Sequence, residues 1–140
     1  MSRENVEVVR SLYAAGNRRD IDAVLSCLDP DAVLDASAAG LGVFEGATAI
    51  RGFLGDWWRT YEEYENVPEE VISVGEDVVL VVNTLEGRLT GTSEPLRLHN
   101  AYMFHCEDGL IFRWTVYQSI DDARRAAGLN DLPRRGDRPR

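Results

Sequence analysis

The apolar run at residues 78–82, VVLVV, is the feature that most constrains the fold of this chain. Alternate side chains of a strand point to opposite faces, so five consecutive branched or leucyl residues indicate a strand that is covered on both faces. A turn sequence at residues 75–77 precedes the run, and an apolar segment at 71–74 precedes the turn. Pro68 has no backbone N–H to donate, which restricts the start of that earlier strand to a sheet edge or a bulge. The sequence therefore predicts a hairpin whose second strand is buried.

Three segments with the apolar spacing of helices precede this hairpin. The first covers residues 3–15, and the second begins after the N-cap Asp20 and stops at Pro30. The third has the widest apolar stripe, and its two glycines, Gly52 and Gly55, are expected to let it lie close against a sheet. The stripe consists of Ile50, Phe53, Leu54, Trp57, Trp58 and Tyr61.

The second half of the chain has the pattern of an antiparallel sheet. Two long strands are expected on either side of the turn at 107–109 (EDG), and a short helix is expected at 120–127. One further short strand is expected earlier, at 32–36, before the third helix. Helices followed by four strands joined by hairpins are typical of an α+β domain.

Length and charge limit both the architecture and the partners. A chain of 140 residues fits one domain, expected over residues 1–129, followed by a basic, disordered tail at 130–140. The formal net charge of −9 disfavours a nucleic-acid partner. No apolar run is long enough for a membrane span, and the N-terminus lacks the pattern of a secretory signal, so we expect a cytoplasmic protein.

The two cysteines, Cys27 and Cys106, match no metal-ligand spacing. In a reducing compartment each is expected to be a small buried residue. We therefore expect neither a metal nor a cofactor.

Three stretches carry a resemblance to a known superfamily. They are EVVRSLYAAGNRRDIDAVLSCLDPDAVLD, FEGATAIRGFL and DGLIFRWTVYQS, which correspond to two helices and a strand, the third helix, and the final hairpin. Together they resemble the SnoaL-like, ketosteroid isomerase-like branch of the nuclear transport factor two-like superfamily. The resemblance implies a cone-shaped barrel (a cystatin-like α+β roll), in which a strongly curved mixed or antiparallel sheet wraps around three helices. It also implies a pocket at the mouth of the cone and a convex face that is commonly a dimer interface.

The alternation of side chains, laid onto the family's pattern through Gly109, divides the last two strands into an inner and a convex set. A β-bulge would exchange the two sets locally. The expected ligand-pocket residues are Tyr13, Trp57, Tyr61, Ala101, Met103, Trp114, Val116 and Gln118, with His99 beside them.

The convex set is rich in aromatic residues. Tyr102, Phe104 and Tyr117 exposed together would form a larger apolar patch than monomers usually show. We therefore expect a homodimer through the convex face. The alternative is that the chain's own termini cover these three rings.

The carboxylates of known enzymes in the superfamily are missing from this chain. The resemblance places the base of ketosteroid isomerase at Ala36, its carboxyl donor at Ala101, and an acid of the epoxide hydrolase at Val116. His99 is a candidate general base, because the ordinary pKa of histidine lies near neutral pH, and its alternative is a structural role. Asp35 is the second candidate base, but only a one-residue register slip would turn it inward; otherwise it lies on the surface or pairs with an arginine.

The predicted function is binding of a mostly apolar small molecule of the polyketide, terpenoid or steroid type. A cofactor-independent cyclase, isomerase or dehydratase step by proton transfer is one form of this function. The alternative is a non-catalytic ligand-binding or dimeric accessory module of the same fold.

Overall fold

The computed structural model describes residues 2–128. The tail predicted at 130–140 lies outside the described residues, so the division into a domain and a tail stays a prediction. Helices α1 to α4 cover Ser2–Asn17, Ile21–Ser26, Ala47–Arg59 and Ile120–Ala126. Strands β1 to β6 cover Leu28–Asp35, Val43–Glu45, Tyr61–Val74, Val78–Leu89, Pro95–Glu107 and Leu110–Tyr117. A short 3-10 helix, Ser37–Ala39, follows β1.

The strands form one mixed sheet in the order β2-β1-β6-β5-β4-β3. Strand β4 pairs antiparallel with β3 and with β5, and β5 pairs antiparallel with β6. Strand β1 pairs with β6 in parallel. The edges are β2 and β3, so the sheet is open, as in a curved cone. This arrangement confirms the predicted α+β fold class.

Strand β4 is covered on both faces, as its VVLVV run predicts. On the inner face, Val79 and Val81 belong to the main core together with Val9 of α1. On the outer face, Leu80 packs in a second cluster with Ala123 of α4. The N-terminal helix therefore covers one side of the sheet and the C-terminal helix the other.

A β-bulge in the last hairpin decides which side chains face inward. Near the turn, Cys106 pairs with Ile111, but the next pair is His105 with Arg113, which leaves Phe112 without a partner. From that point onward the even-numbered residues of β5 lie opposite the even-numbered residues of β6. Pairing without the bulge would put the odd-numbered residues of β5 on the inner face, which is the assignment made from the sequence. That assignment is wrong along β5 for this reason.

Two boundaries differ from the sequence prediction because strand pairing extends further than local patterns show. β1 begins at Leu28 rather than at residue 32, and α2 ends two residues before it. α3 ends at Arg59, and Tyr61 opens the long strand β3, where it pairs with Leu89. Tyr61 therefore does not belong to the α3 stripe.

The structure agrees with the expectation for Pro68 but not with the expectation for Gly52. Pro68 lies on the edge strand β3 next to a shift in register, which satisfies both conditions expected for it. Gly52 is different, since a Cβ there would meet no atom within 4 Å. It is exposed on α3 and does not mediate a close approach to the sheet.

No helix within residues 2–128 is both long and apolar enough to cross a membrane. The same residues contain no group of three or more histidine, cysteine or acidic side chains arranged to hold a metal ion. The cytoplasmic location predicted from the sequence stays a prediction.

Candidate functional site

A cavity of about 390 Å³ (the chamber) lies between the inner face of the sheet and helices α1 and α3. This volume is within the range of small-molecule pockets. All three tryptophans of the protein line it. The remaining lining is mostly apolar, and its polar members are amides, phenols and one imidazole: Tyr13, Asn17, Tyr64, Asn66, His99, Asn100, Tyr102 and Gln118.

A run of aromatic rings forms the α3 side of the chamber. Phe53 stacks on Trp57 with ring centroids 6.1 Å apart, and the edge of Tyr61 meets Trp57 at 5.3 Å. Tyr61 in turn contacts Tyr64, also at 5.3 Å. Tyr61 is therefore behind the lining, where it supports Trp57 and Tyr64, and it is not itself among the lining residues, contrary to the expectation from the sequence.

A chain of hydrogen bonds crosses from α1 to β5 at the opposite side. The Tyr13 hydroxyl donates to Oδ1 of Asn83, and Nδ2 of Asn83 donates to Oδ1 of Asn100 at 2.5 Å. Asn83 is fully buried, and Asn100 lines the chamber. With its Oδ1 occupied in this way, Asn100 is left with its NH₂ group as the donor for other partners. Tyr13, Asn83 and Asn100 are called the relay.

A second polar group forms where β3 meets the end of α1. Nδ2 of Asn17 donates to the backbone carbonyl oxygen of Asn66 at 2.9 Å, and Oδ1 of Asn17 accepts from the backbone N–H of Asn66 at 2.8 Å. Nδ2 of Asn66 donates to the Tyr102 hydroxyl at 3.2 Å. Oδ1 of Asn66 and Nε1 of Trp114 are buried without a hydrogen-bond partner among the described residues.

The phenols of the chamber stay protonated at neutral pH. Burial raises the pKa of Tyr13 and Tyr102, and neighbouring phenols raise each pKa further. Burial also raises the pKa of Tyr64, although hydrogen bonding to Trp57 and other neighbours opposes part of that rise. None of the described lining residues is a carboxylate, and the phenols face a ligand as hydrogen-bond donors rather than as bases.

His99 borders the chamber but directs its imidazole to the other side of the sheet. It pairs with Thr84 across β4, and its Nδ1 lies 3.0 Å from the Thr84 hydroxyl and 3.5 Å from a carboxylate oxygen of Glu69. The side chain is 53% exposed. Its Nδ1 is thus engaged on the outer face of the sheet, although the residue is among those that line the chamber.

Asp35 is likewise on the outer face of the sheet. Its carboxylate accepts from the hydroxyl and the backbone N–H of Ser37, at 2.6 and 3.0 Å, and from the Arg113 guanidinium at 2.9 Å. These interactions, those from Ser37 first, lower the pKa of Asp35. No register slip turns it inward, because its neighbours Leu34 and Ala36 line the chamber. Asp35 is thus the partner of an arginine, one of the roles left open by the sequence.

The other predicted pocket residues divide between the two faces. Tyr13, Trp57, Trp114, Val116 and Gln118 line the chamber. Ala101 and Met103 do not; they are buried in the outer cluster against Leu80 and Ala123. Their assignment to the pocket is wrong because the bulge at Phe112 shifts β6 against β5, so that the even-numbered residues of β5 share the inner face with Trp114 and Val116.

The predicted dimer interface changes for the same reason. Tyr102 and Phe104 lie on the inner face, where Tyr13 of α1 packs against them at ring-centroid distances of 6.1 and 6.2 Å. Tyr117 is on the outer face, beside the cluster that includes Ala123 of α4. The two terminal helices therefore cover these rings, which is the alternative to the dimer considered above.

Seven polar or aromatic lining residues were not assigned to the pocket from the sequence: Asn17, Phe53, Trp58, Tyr64, Asn66, Asn100 and Tyr102. Asn100 and Tyr102 were placed on the convex face by the parity error, and Tyr64 and Asn66 lie in the unexpected first half of β3. A signal for a buried polar position does exist at Asn83, since it continues the alternation of Val79 and Val81 into the interior. Nothing comparable distinguishes Asn66 in its polar sequence context.

Comparisons with known proteins agree with this architecture. The family model of the SnoaL-like domain matches residues 9–114. Among solved structures, TerC co-crystallised with polyporic acid is 26% identical, with a TM-score of 0.73 and coverage of 89% of this chain and 98% of that chain. The comparison with curated proteins returned no match.

Two other solved structures share the fold at lower identity. A protein of ketosteroid isomerase-like fold from Catenulispora acidiphila, in complex with trimethylamine, is 19% identical, with a TM-score of 0.73 and coverage of 88% and 93%. An LEH-like epoxide hydrolase from M. tuberculosis is 18% identical, with a TM-score of 0.71 and coverage of 90% of both chains. The family match extends over most of the chain. The chain therefore belongs to the SnoaL-like domain family, within the nuclear transport factor two-like superfamily.

Proposed function

We propose that this protein binds a flat, mostly apolar and uncharged small molecule of the polyketide, terpenoid or steroid type. The observation that carries the proposal is a chamber of about 390 Å³ whose lining includes three tryptophans and whose polar groups are almost all neutral amides and phenols. Aromatic walls with a few fixed polar groups suit a planar ligand held in one orientation. The similarity to TerC, which was co-crystallised with polyporic acid, supports binding of a small molecule.

A catalytic role is the second candidate, and the relay from Tyr13 to Asn100 favours it. Fixed donors of this type stabilise negative charge that develops on a carbonyl oxygen. Because the described lining contains no carboxylate, such a site would serve an isomerisation or cyclisation in which solvent water accepts the proton of an already acidic substrate C–H and returns a proton to the product. We expect Asn100→Leu to reduce turnover about 100-fold, and His99→Ala to leave it unchanged. A large loss in His99→Ala would contradict the donor-only mechanism.

The homodimer expected from the sequence stays a prediction. Of its three proposed interface rings, only Tyr117 is on the outer face of the sheet. Sedimentation velocity of the wild type and of Tyr117→Glu distinguishes the outcomes: a dimer through this face dissociates in the variant, and a monomer sediments identically in both.

Binding in the chamber is tested by filling it. Val116 lines the chamber, whereas its neighbour Thr115 lies on the outer parity of the same strand. We expect Val116→Phe to weaken binding of uncharged polycyclic ketones and phenols at least about tenfold, because the added ring occupies the ligand's volume. Thr115→Phe is the matched control and should bind like the wild type.

Intrinsic fluorescence gives the readout, since every tryptophan of the protein lines the chamber. A ligand in the chamber should change the emission of the wild type and of Thr115→Phe at the same concentrations. Equal binding by Val116→Phe and the wild type would place the ligand elsewhere and contradict the proposed function.

A further inference from the structure

Two buried polar atoms of the chamber have no hydrogen-bond partner among the residues that the structure describes: Nε1 of Trp114 and Oδ1 of Asn66. Trp114 is 9% exposed and Asn66 is 5% exposed, and both line the chamber. A buried polar group without a partner loses its hydrogen bonds to water and gains none from the protein. Because this is unfavourable, native structures contain few such groups. The only other such atom in the described part of the chain, Nδ1 of His105, belongs to a residue that does not line the chamber.

The two atoms have opposite hydrogen-bonding character. The indole N–H of Trp114 can only donate. Asn66 presents an acceptor, because its Nδ2 is already directed to the Tyr102 hydroxyl at 3.2 Å. The paired contacts from Asn17 to the backbone of Asn66 fix the residue in place. Trp114 and Asn66, which both line the chamber, therefore carry one buried unused donor and one buried unused acceptor.

Both positions adjoin a single residue, Tyr102. The ring of Tyr102 lies 5.8 Å from the Trp114 ring, centroid to centroid, and its hydroxyl contacts the Asn66 amide. In the sheet, β6 with Trp114 lies on one side of β5, and β4 and β3 with Asn66 lie on the other. One small molecule lying over Tyr102 would therefore be adjacent to both residues.

We propose that the ligand carries a hydrogen-bond acceptor, such as a ketone oxygen, where it faces Trp114 and a donor, such as a hydroxyl, where it faces Asn66. The ligand class is thus a flat hydroxyketone, which is more specific than the small-molecule binding that it rests on. A pure hydrocarbon would leave both buried atoms unpaired. A carboxylate would find no cation among the described lining residues.

The test uses three probes of nearly equal shape. A hydroxytetralone has an acceptor at one end and a donor at the other, its methyl ether keeps the acceptor and loses the donor, and the corresponding tetrahydronaphthol keeps only the donor. Calorimetric titrations with the wild type should give the tightest binding for the hydroxytetralone, by about tenfold over each of the other two.

Two variants assign each end of the probe to its residue. Trp114→Phe should weaken the hydroxytetralone and its methyl ether about tenfold while changing the tetrahydronaphthol less than about twofold. Asn66→Leu should weaken the hydroxytetralone and the tetrahydronaphthol but not the ether. Trp58→Phe is the matched control, since Trp58 also lines the chamber but has no unpaired buried nitrogen. It should affect the three probes equally.

The possible outcomes separate the two levels of the hypothesis. If the wild type binds all three probes with equal affinity, or if both variants weaken all three equally, the assignment of donor and acceptor is overturned while small-molecule binding stands. If the wild type binds none of the probes at millimolar concentration, both the assignment and the proposed function are overturned. The comparison of probes on the wild type needs no substitution and is decisive even if a variant fails to fold.

Discussion

Tyr13 and Asn83 show how a single hydroxyl group stabilises the interior of this protein. Asn83 is fully buried, and its Oδ1 accepts from Tyr13 while its Nδ2 donates to Asn100. Removing the hydroxyl in Tyr13→Phe leaves a buried amide oxygen without a donor, which costs about 1–3 kcal/mol. We expect the free energy of unfolding, measured by urea denaturation, to fall by that amount.

Tyr117→Phe provides the control at the same scale. Tyr117 lies on the outer face, and its hydroxyl makes no side-chain hydrogen bond within the described residues. Its loss should change the unfolding free energy by less than about 0.5 kcal/mol. Similar values for the two variants would show that the relay contributes nothing to stability.

Asp35 makes a second residue-scale prediction, which concerns pH. Its carboxylate is only 19% exposed, and hydrogen bonds from Ser37, followed by the Arg113 charge, lower its pKa in the folded protein. A lowered folded pKa contributes stability above the ordinary aspartate pKa of about 3.9, and that contribution is lost as the pH falls through the folded value. At pH 7 we expect Asp35→Asn to be about 1–2 kcal/mol less stable than the wild type.

The difference between wild type and Asp35→Asn should therefore shrink as the pH falls below about 4. Urea unfolding at a series of pH values measures it. A difference that is constant with pH would show that the charge of Asp35 is not what stabilises the fold. Ligand affinity should be unchanged in this variant, because Asp35 is outside the chamber.

At the scale of elements, the last hairpin shows what the sequence predicts well and what it does not. The existence of β5 and β6, their turn at Asp108 and Gly109, and the α+β order all follow from local patterns. The inward face of β6, with Trp114 and Val116, also follows from alternation. The face of β5 does not, since one unpaired residue of β6, Phe112, shifts the register between the two strands, and no turn or glycine signal marks this bulge.

That one residue accounts for most of the site that sequence reasoning misassigned. Because of it, the sequence prediction assigned His99 and Ala101 to the inner face, where the structure has Asn100 and Tyr102. The predicted site therefore had a histidine base in place of neutral hydrogen-bonding groups. Polar side chains on a strand carry no local information about which face they occupy. The face is determined by hydrogen-bond register across two strands, which is a tertiary property.

At the scale of elements, we expect the substitution of two glycines by alanine to change the stability of the protein in opposite directions. Gly87 of β4 lies so close to β3 that an added Cβ would overlap the backbone carbonyl oxygen of Glu63. Gly87→Ala should therefore destabilise the protein by more than about 2 kcal/mol. Gly52 is exposed in α3 with no atom near its Cβ direction, so Gly52→Ala should stabilise the protein by about 0.5–1 kcal/mol.

Thermal or chemical unfolding of these two variants tests the packing of β3 against β4 and of α3 separately. If Gly87→Ala were neutral, the close approach of the two strands at Glu63 would be incorrect. A destabilising Gly52→Ala would instead indicate that α3 needs a glycine for a contact outside the described residues.

At the scale of the whole molecule, a strongly acidic protein encloses an uncharged chamber. The formal net charge is −9, whereas the polar lining of the chamber consists almost entirely of amides and phenols. The negative net charge of the protein does not affect the approach of a neutral ligand, but it repels an anionic ligand. We therefore expect the net charge to disfavour the approach of an anionic ligand to the chamber.

This separation of charge predicts how binding responds to pH and salt. The affinity for the methyl ether of the hydroxytetralone, which has no titratable group, should stay constant from about pH 7 to pH 10, because burial raises the pKa of Tyr13, Tyr64 and Tyr102. It should also be constant from about 0.05 to 0.5 M salt, whereas a carboxylated analogue should bind several-fold more tightly as salt screens the protein charge. Calorimetric titrations measure both series. A neutral probe whose affinity falls between pH 7 and pH 10 would reveal a titrating group in contact with the ligand, in conflict with a chamber that acts only through neutral donors and acceptors.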